Sequence, residues 1–147
     1  MENASLLFFL FVCFNDFLCS FWIVKSNFIK SLTGAIEAKP DAFSVSAKML
    51  MWDQPELLDD AGAVSAPVAE AMASGARKVL HADVAVSVTG LAGPTGDEYG
   101  NPVGTVYIGY SDLVQTVSVC YHFDGDRDQV RRQATEAALR MILKYNA

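Results

Sequence analysis

The residues best suited to chemistry lie in one segment, Val84-Ala85-Val86-Ser87-Val88-Thr89-Gly90-Leu91-Ala92-Gly93-Pro94-Thr95-Gly96. It runs on through Asp97-Glu98-Tyr99-Gly100-Asn101-Pro102 into Val103-Gly104-Thr105-Val106-Tyr107-Ile108. Glycines and prolines here separate two apolar runs. Glycine lets backbone amides approach an anion closely, and successive amides in such turns form a concave nest that suits a nucleotide phosphate or a developing oxyanion. Thr89, Gly90, Ala92, Gly93 and Thr105 are therefore the candidate substrate-binding residues. By composition alone the segment reads more readily as a plain long hairpin loop. No Gly-Lys-Ser/Thr follows, which excludes a Walker loop, and a strand rather than a helix comes next, which excludes a dinucleotide fingerprint.

Metal chemistry finds little support. The three cysteines, Cys13, Cys19 and Cys120, include no CxxC pair, and the two histidines, His81 and His122, sit in no ligand-spaced cluster. No metal and no cofactor are expected. Reduced thiols fit a cytoplasmic compartment. The formal charge of −6 argues against nucleic acid, because an acidic surface repels phosphates and gains nothing from counterion release.

The elements that must position this segment fall into two textures. Seven of the nine phenylalanines lie in the first 28 residues, so residues 1–30 read as a Phe-rich apolar extension and residues 31–147 as the domain. Ser5 to Val24 is about one bilayer thickness if helical, with Asn15 and Asp16 interrupting it near the middle. Leu, Ile, Phe and Val each favour insertion by roughly 0.3–0.6 kcal/mol, against about 3 kcal/mol for a central Asp. The run reads as an anchor, as an apolar element packed on the domain or a partner, or as a misassigned start. Glu2 ahead of it does not fit a cleavable signal peptide.

Beyond residue 55 the pattern is that of an ordinary globular domain. Pro55 to Asp60 forms a short acidic helix ending before Gly62, and Ser65 stands as N-cap of a helix with Val68, Met72, Ala76, Val79 and Leu80 on one stripe. Val84–Val88, Val103–Tyr110 and about Val114–Phe123 read as strands. Asp126 and Gln129 resemble a capping box opening a helix whose buried face is Val130, Ala134, Ala137, Met141, Ile142 and Tyr145. Arg127, Arg131, Arg132 and Arg140 read mostly as its solvated face.

Five motifs in order resemble the C-terminal domain of the CinA family: Gly62-Ala63-Val64-Ser65; Ala71-Met72-Ala73-Ser74-Gly75-Ala76-Arg77; Ala82 to Pro94; Pro102 to Ile108; and Phe123-Asp124-Gly125-Asp126-Arg127 before an Ala/Arg-rich helix. The match is strongest over residues 60–147. The resemblance implies a three-layer α/β/α domain with a mixed sheet, here with an atypical or incomplete N-terminal part. It also implies hydrolysis of the carboxamide of nicotinamide mononucleotide to nicotinate mononucleotide and ammonia. A small nucleotide substrate and a homo-oligomeric assembly are expected partners only as the resemblance implies them.

Active family members carry an early Ser-Cys-Thr-Gly-Gly turn and a later Tyr-Ser-Asn segment followed by lysine. The resemblance implies serine as nucleophile, assisted by lysine and tyrosine, a division of labour that suits amide hydrolysis. The second motif falls on Phe43-Ser44-Val45-Ser46-Ala47-Lys48, which retains Ser44 and Lys48 but replaces tyrosine by Phe43 and asparagine by Val45. The only echo of the first is Ser31-Leu32-Thr33-Gly34-Ala35, twelve residues before Phe43. At about 1.5 Å of rise per helical residue and 3.3 Å per strand residue, that interval cannot hold the helix and strand that the family places there. Lys48, Ser31 and Ser44 are the candidate catalytic residues. The alternative is a catalytically inactive member that keeps a nucleotide-binding loop or serves as an interaction module.

Overall fold

The computed structural model describes residues 6–14, 17–24, 54, 56–79 and 82–145. Among them, the chain forms β1 (Leu6–Phe14), β2 (Phe17–Val24), α1 (Leu57–Ala61), α2 (Ala66–Val79), β3 (Val84–Leu91), β4 (Thr105–Ser111), β5 (Thr116–His122) and α3 (Arg127–Tyr145). The strands make one sheet in chain order, and each neighbouring pair is antiparallel. The mixed sheet that the resemblance implies is thus not made by these five strands. β1–β2 and β4–β5 follow one another as neighbours through short connections, which permit only antiparallel pairing, and β3–β4 pairs antiparallel across the longer glycine-rich loop.

The Phe-rich run forms β1 and β2 rather than a bilayer-length helix. Phe14 pairs with Phe17, so Asn15 and Asp16, both turn-forming residue types, fall between two runs of aromatic and β-branched residues that favour strands. β2 then pairs along β3 from Phe17↔Leu91 to Val24↔Val84. Among the described residues, no helix is long and apolar enough to cross a membrane.

Side chains alternate across β3 and β4, and each face receives one helix. Val84, Val86, Val88, Val106, Ile108 and Tyr110 face α3, meeting Val130, Ala134, Ala138, Met141 and Ile142. Each fully buried aliphatic chain is worth roughly 1.5–3 kcal/mol, so this side supplies most of the apolar core. Tyr145 stacks on Tyr110 with ring centroids 4.7 Å apart. The sequence reading puts Ala137 on the buried face; Ala138 is the fully buried one and Ala137 lies partly buried beside it. The capping box forms: Gln129 N–H donates to Asp126 Oδ1 at 2.9 Å, and Asp126 N–H donates to Gln129 Oε1 at 2.8 Å.

On the opposite face α2 packs by close backbone approach. Val68, Met72 and Ala76 meet Ala85, and a Cβ added to Gly109 would lie 2.3 Å from the Ala69 carbonyl oxygen. Glycine is required there because the helix backbone occupies the space of a side chain. Ser87 Oγ donates to the same Ala69 oxygen at 2.5 Å, Ser118 Oγ donates to Glu70 Oε1 at 2.7 Å, and Arg77 Nε donates to Ser111 Oγ at 3.2 Å. Ser65 precedes the helix as the sequence suggests, but its hydroxyl donates back to the Gly62 carbonyl at 2.9 Å instead of accepting from the first turn. The positive φ of Gly62, 74°, ends α1, with its N–H on the Leu58 carbonyl.

The β4–β5 hairpin is held by Asp112. Its Oδ1 accepts from the Val114 and Gln115 amides at 2.7 Å each, and Oδ2 accepts from the Tyr110 hydroxyl at 2.9 Å. The Gln115 and Val114 amides, with help from Tyr110 and Arg77, hold its carboxyl below the usual carboxylate range. A depressed folded-state pKa gives stability that is complete above the unfolded value, about 3.9, and is lost as pH falls from there through the folded value. Asp112→Ala is expected to lower the melting temperature at neutral pH, with the gap to wild type closing below about pH 4. Melting curves across pH 2–7 check this, and a gap that stays constant with pH would contradict it.

Candidate functional site

The glycine-rich segment sits where the C-terminal end of β3, the N-terminal ends of α2, β4 and α3, and the C-terminal end of β5 converge. Its geometry is fixed from below. Thr89 Oγ1 donates to the Ala63 carbonyl at 2.7 Å, which ties β3 to the connector between α1 and α2. A Cβ at Gly90 would lie 2.6 Å from Val106 Cγ2 and 2.8 Å from the Thr105 carbonyl oxygen. β3 and β4 therefore close on each other at Gly90, which lies within β3.

The loop beyond β3 is organised by Asp97. Its Oδ1 accepts from the Tyr99 and Asn101 amides, and its Oδ2 accepts from Asn101 Nδ2 at 2.7 Å. Asn101 Nδ2 also donates to the Val64 carbonyl at 3.3 Å, and the Tyr99 hydroxyl donates to the Asp59 carbonyl at 3.4 Å. The loop thus folds over the α1–α2 connector. At its start, the Gly93 carbonyl accepts from Arg127 Nη1 at 2.8 Å. Gly104 has a φ of 92°, and its N–H donates to the Leu91 carbonyl at 2.7 Å while its carbonyl accepts from Phe123 N–H.

The structure brings all five sequence-suggested binding residues, Thr89, Gly90, Ala92, Gly93 and Thr105, into this junction, and all are buried. Thr89 and Thr105 are 0% and 1% exposed, and each hydroxyl already has a neighbour, Ala63 O for Thr89 and His122 Nδ1, at 3.5 Å, for Thr105. The candidate catalytic residues Ser31, Ser44 and Lys48 lie outside the described residues.

Two features escape the one-dimensional reading. Arg127, read with the solvated arginines, anchors the loop through Gly93. His122, read as unclustered, belongs to a polar strip on the α2 side of β4 and β5. Pairing sets Thr105 opposite His122 and Tyr107 opposite Cys120, and Cys120 Sγ lies 3.9 Å from His122 Nε2. The hydrogen bond between Tyr107 and the Cys120 side chain, followed by burial and the sulfur's charge, raises the Tyr107 phenol above its ordinary value. The alternation Ser118-x-Cys120-x-His122 was the available signal. Among the described residues, no group of three or more His, Cys, Asp or Glu side chains could hold a metal ion.

Helices on both faces of a sheet, with a glycine-rich loop between adjacent strands at one end, define an α/β domain of layered type. The chain belongs to the CinA family: the family model for the CinA C-terminal domain matches residues 42–146. A CinA-like protein of Geobacter metallireducens is 45% identical over 104 residues, which cover 71% of this chain and 23% of that protein. A competence-damaged protein (CinA) superfamily structure from Escherichia coli superposes with a TM-score of 0.65 at 36% identity, covering 69% of this chain and 59% of that one. The competence/damage inducible protein CihA from Agrobacterium tumefaciens gives a TM-score of 0.64 at 27% identity, covering 80% and 79%. The chain spans about a quarter of the length of the curated relatives it matches.

A buried threonine engaged this way has a structural job independent of ligand. Thr89→Val, which keeps the shape and removes the donor to Ala63, is expected to cost about 1–3 kcal/mol without any nucleotide present. Urea unfolding measures it, and an unchanged midpoint would mean that the hydroxyl is not needed for the fold.

Proposed function

We propose that this chain carries the scaffold of a nicotinamide-nucleotide amidase, hydrolysing the carboxamide of nicotinamide mononucleotide to nicotinate mononucleotide and ammonia. The observation that supports the reading most is family membership across residues 42–146, together with a braced loop of the composition that an oxyanion or phosphate site requires. In this reading, Lys48 acts as base, Ser31 or Ser44 attacks the amide carbon, and the segment from Thr89 to Thr105 forms the binding wall. The attacking oxygen adds to the carbonyl, its proton passes to the lysine, and that proton leaves with ammonia. Water then releases the acyl group as the acid.

A second reading has its own support. The Thr89 and Thr105 hydroxyls have protein neighbours, and Gly90 is explained by the close approach of β4. The loop's residue choices are thus accounted for without catalysis, which favours a catalytically inactive family member. Ammonia release from nicotinamide mononucleotide by wild type, Lys48→Ala, Ser31→Ala and Ser44→Ala separates the two. The amidase reading expects turnover that drops by about 10²-fold or more in Lys48→Ala and in one of the two serine variants. No turnover by folded wild type, with a nucleotide-dependent rise in melting temperature, would transfer the chain to the second reading.

A further inference from the structure

The polar strip on β4 and β5 has a use that amide hydrolysis does not assign to it. Cys120 is a free, exposed thiol, and its Sγ lies 3.9 Å from Nε2 of the exposed His122. The other ring nitrogen of His122, Nδ1, lies 3.5 Å from Oγ1 of the buried Thr105. Tyr107 stands directly opposite Cys120 on the neighbouring strand. The order is hydroxyl, imidazole, sulfur, phenol along one sheet face. Nucleophile, base and a third group orienting the base are the parts that an activated nucleophile requires.

Neighbouring strands fix these spacings. Cys120 and His122 are two apart on β5 and share a face, while Thr105 and Tyr107 occupy the paired positions on β4. Along the described sheet β5 is the last strand, so the sulfur faces solvent at a sheet margin rather than the interior. A structural buried cysteine is inert, whereas an exposed thiol beside an imidazole reacts through its thiolate.

We propose that Cys120 is a thiol-modification site at which His122 assists exchange with low-molecular-weight disulfides. The Cys120 proton passes to His122 Nε2, and the thiolate attacks one sulfur of the small disulfide. A bond forms between Cys120 Sγ and that sulfur as the original S–S bond breaks, and the departing thiolate takes the proton from His122. One thiol and one disulfide give one mixed disulfide and one small thiol, with no outside oxidant. The adduct forms at the position paired with Tyr107 on β4. The proposal does not rest on the amidase reading.

The full chain is incubated with glutathione disulfide at neutral pH, and adduct formation at Cys120 is followed by site-resolved mass spectrometry, which separates it from Cys13 and Cys19. Folded wild type is expected to form the Cys120 adduct about tenfold faster than the same chain unfolded in urea, because unfolding separates thiol from imidazole. His122→Ala and His122→Gln, folded by circular dichroism, are expected to lose most of that advantage. A folded rate within twofold of the unfolded rate, or histidine variants that react like wild type, would overturn the proposal. The folded-to-unfolded comparison stands even where a variant fails to fold.

Discussion

The contact on which the rest of the structure depends is the approach of α2 to the sheet at Gly109. The Ala69 carbonyl occupies the space where a side chain on β4 would project, and Ser87 on β3 donates to the same oxygen. Small buried residues on the helix, Ala69, Ala73 and Ala76, let its backbone come this close. A helix held by apolar area alone can slide by a fraction of a residue at modest cost. One held by a hydroxyl aimed at a particular carbonyl, above a glycine with no Cβ, is fixed in register.

From that register the junction follows. The connector before α2 reaches Thr89 only if the helix start is in place, and the same connector receives the side chain of Asn101. At the far end of the helix, Arg77 and Ser111 tie α2 to the β4–β5 hairpin that Asp112 closes. The opposite face answers with volume: Val86, Val88, Ile108 and Tyr110 fill the space beneath α3, whose first turn supplies the capping box and whose Arg127 holds Gly93. The site region is therefore bounded by two differently built layers, one registered by polar contacts and one filled by apolar side chains.

Much of this was legible in the chain. The period-two valines of β3, the Val130-to-Tyr145 helix and its Asp126–Gln129 cap are local patterns, and local patterns report directly on local structure. What could not be read were pairings between distant residues. Nothing near Gly109 in sequence shows that a helix forty residues earlier crosses there, and nothing near Arg127 points to Gly93. The Phe-rich start left an anchor and an element packed on the domain both open; its two halves, on either side of Asn15-Asp16 in the sequence, pair as strands and extend the sheet beside β3. The candidate catalytic residues Ser31, Ser44 and Lys48 lie outside the described residues, so for them the chain offers residue types without geometry.

The central claim is that the Ala69–Gly109 approach sets the position of α2 and, through it, of the glycine-rich junction. Gly109→Ala tests it with a single methyl group, measured by urea unfolding against wild type. The added Cβ must displace the helix backbone, so a loss of about 1–3 kcal/mol is expected, accompanied by faster amide hydrogen exchange in α2. An unfolding midpoint and exchange pattern identical to wild type would contradict the claim, because they would mean that the helix can stand off the sheet without cost.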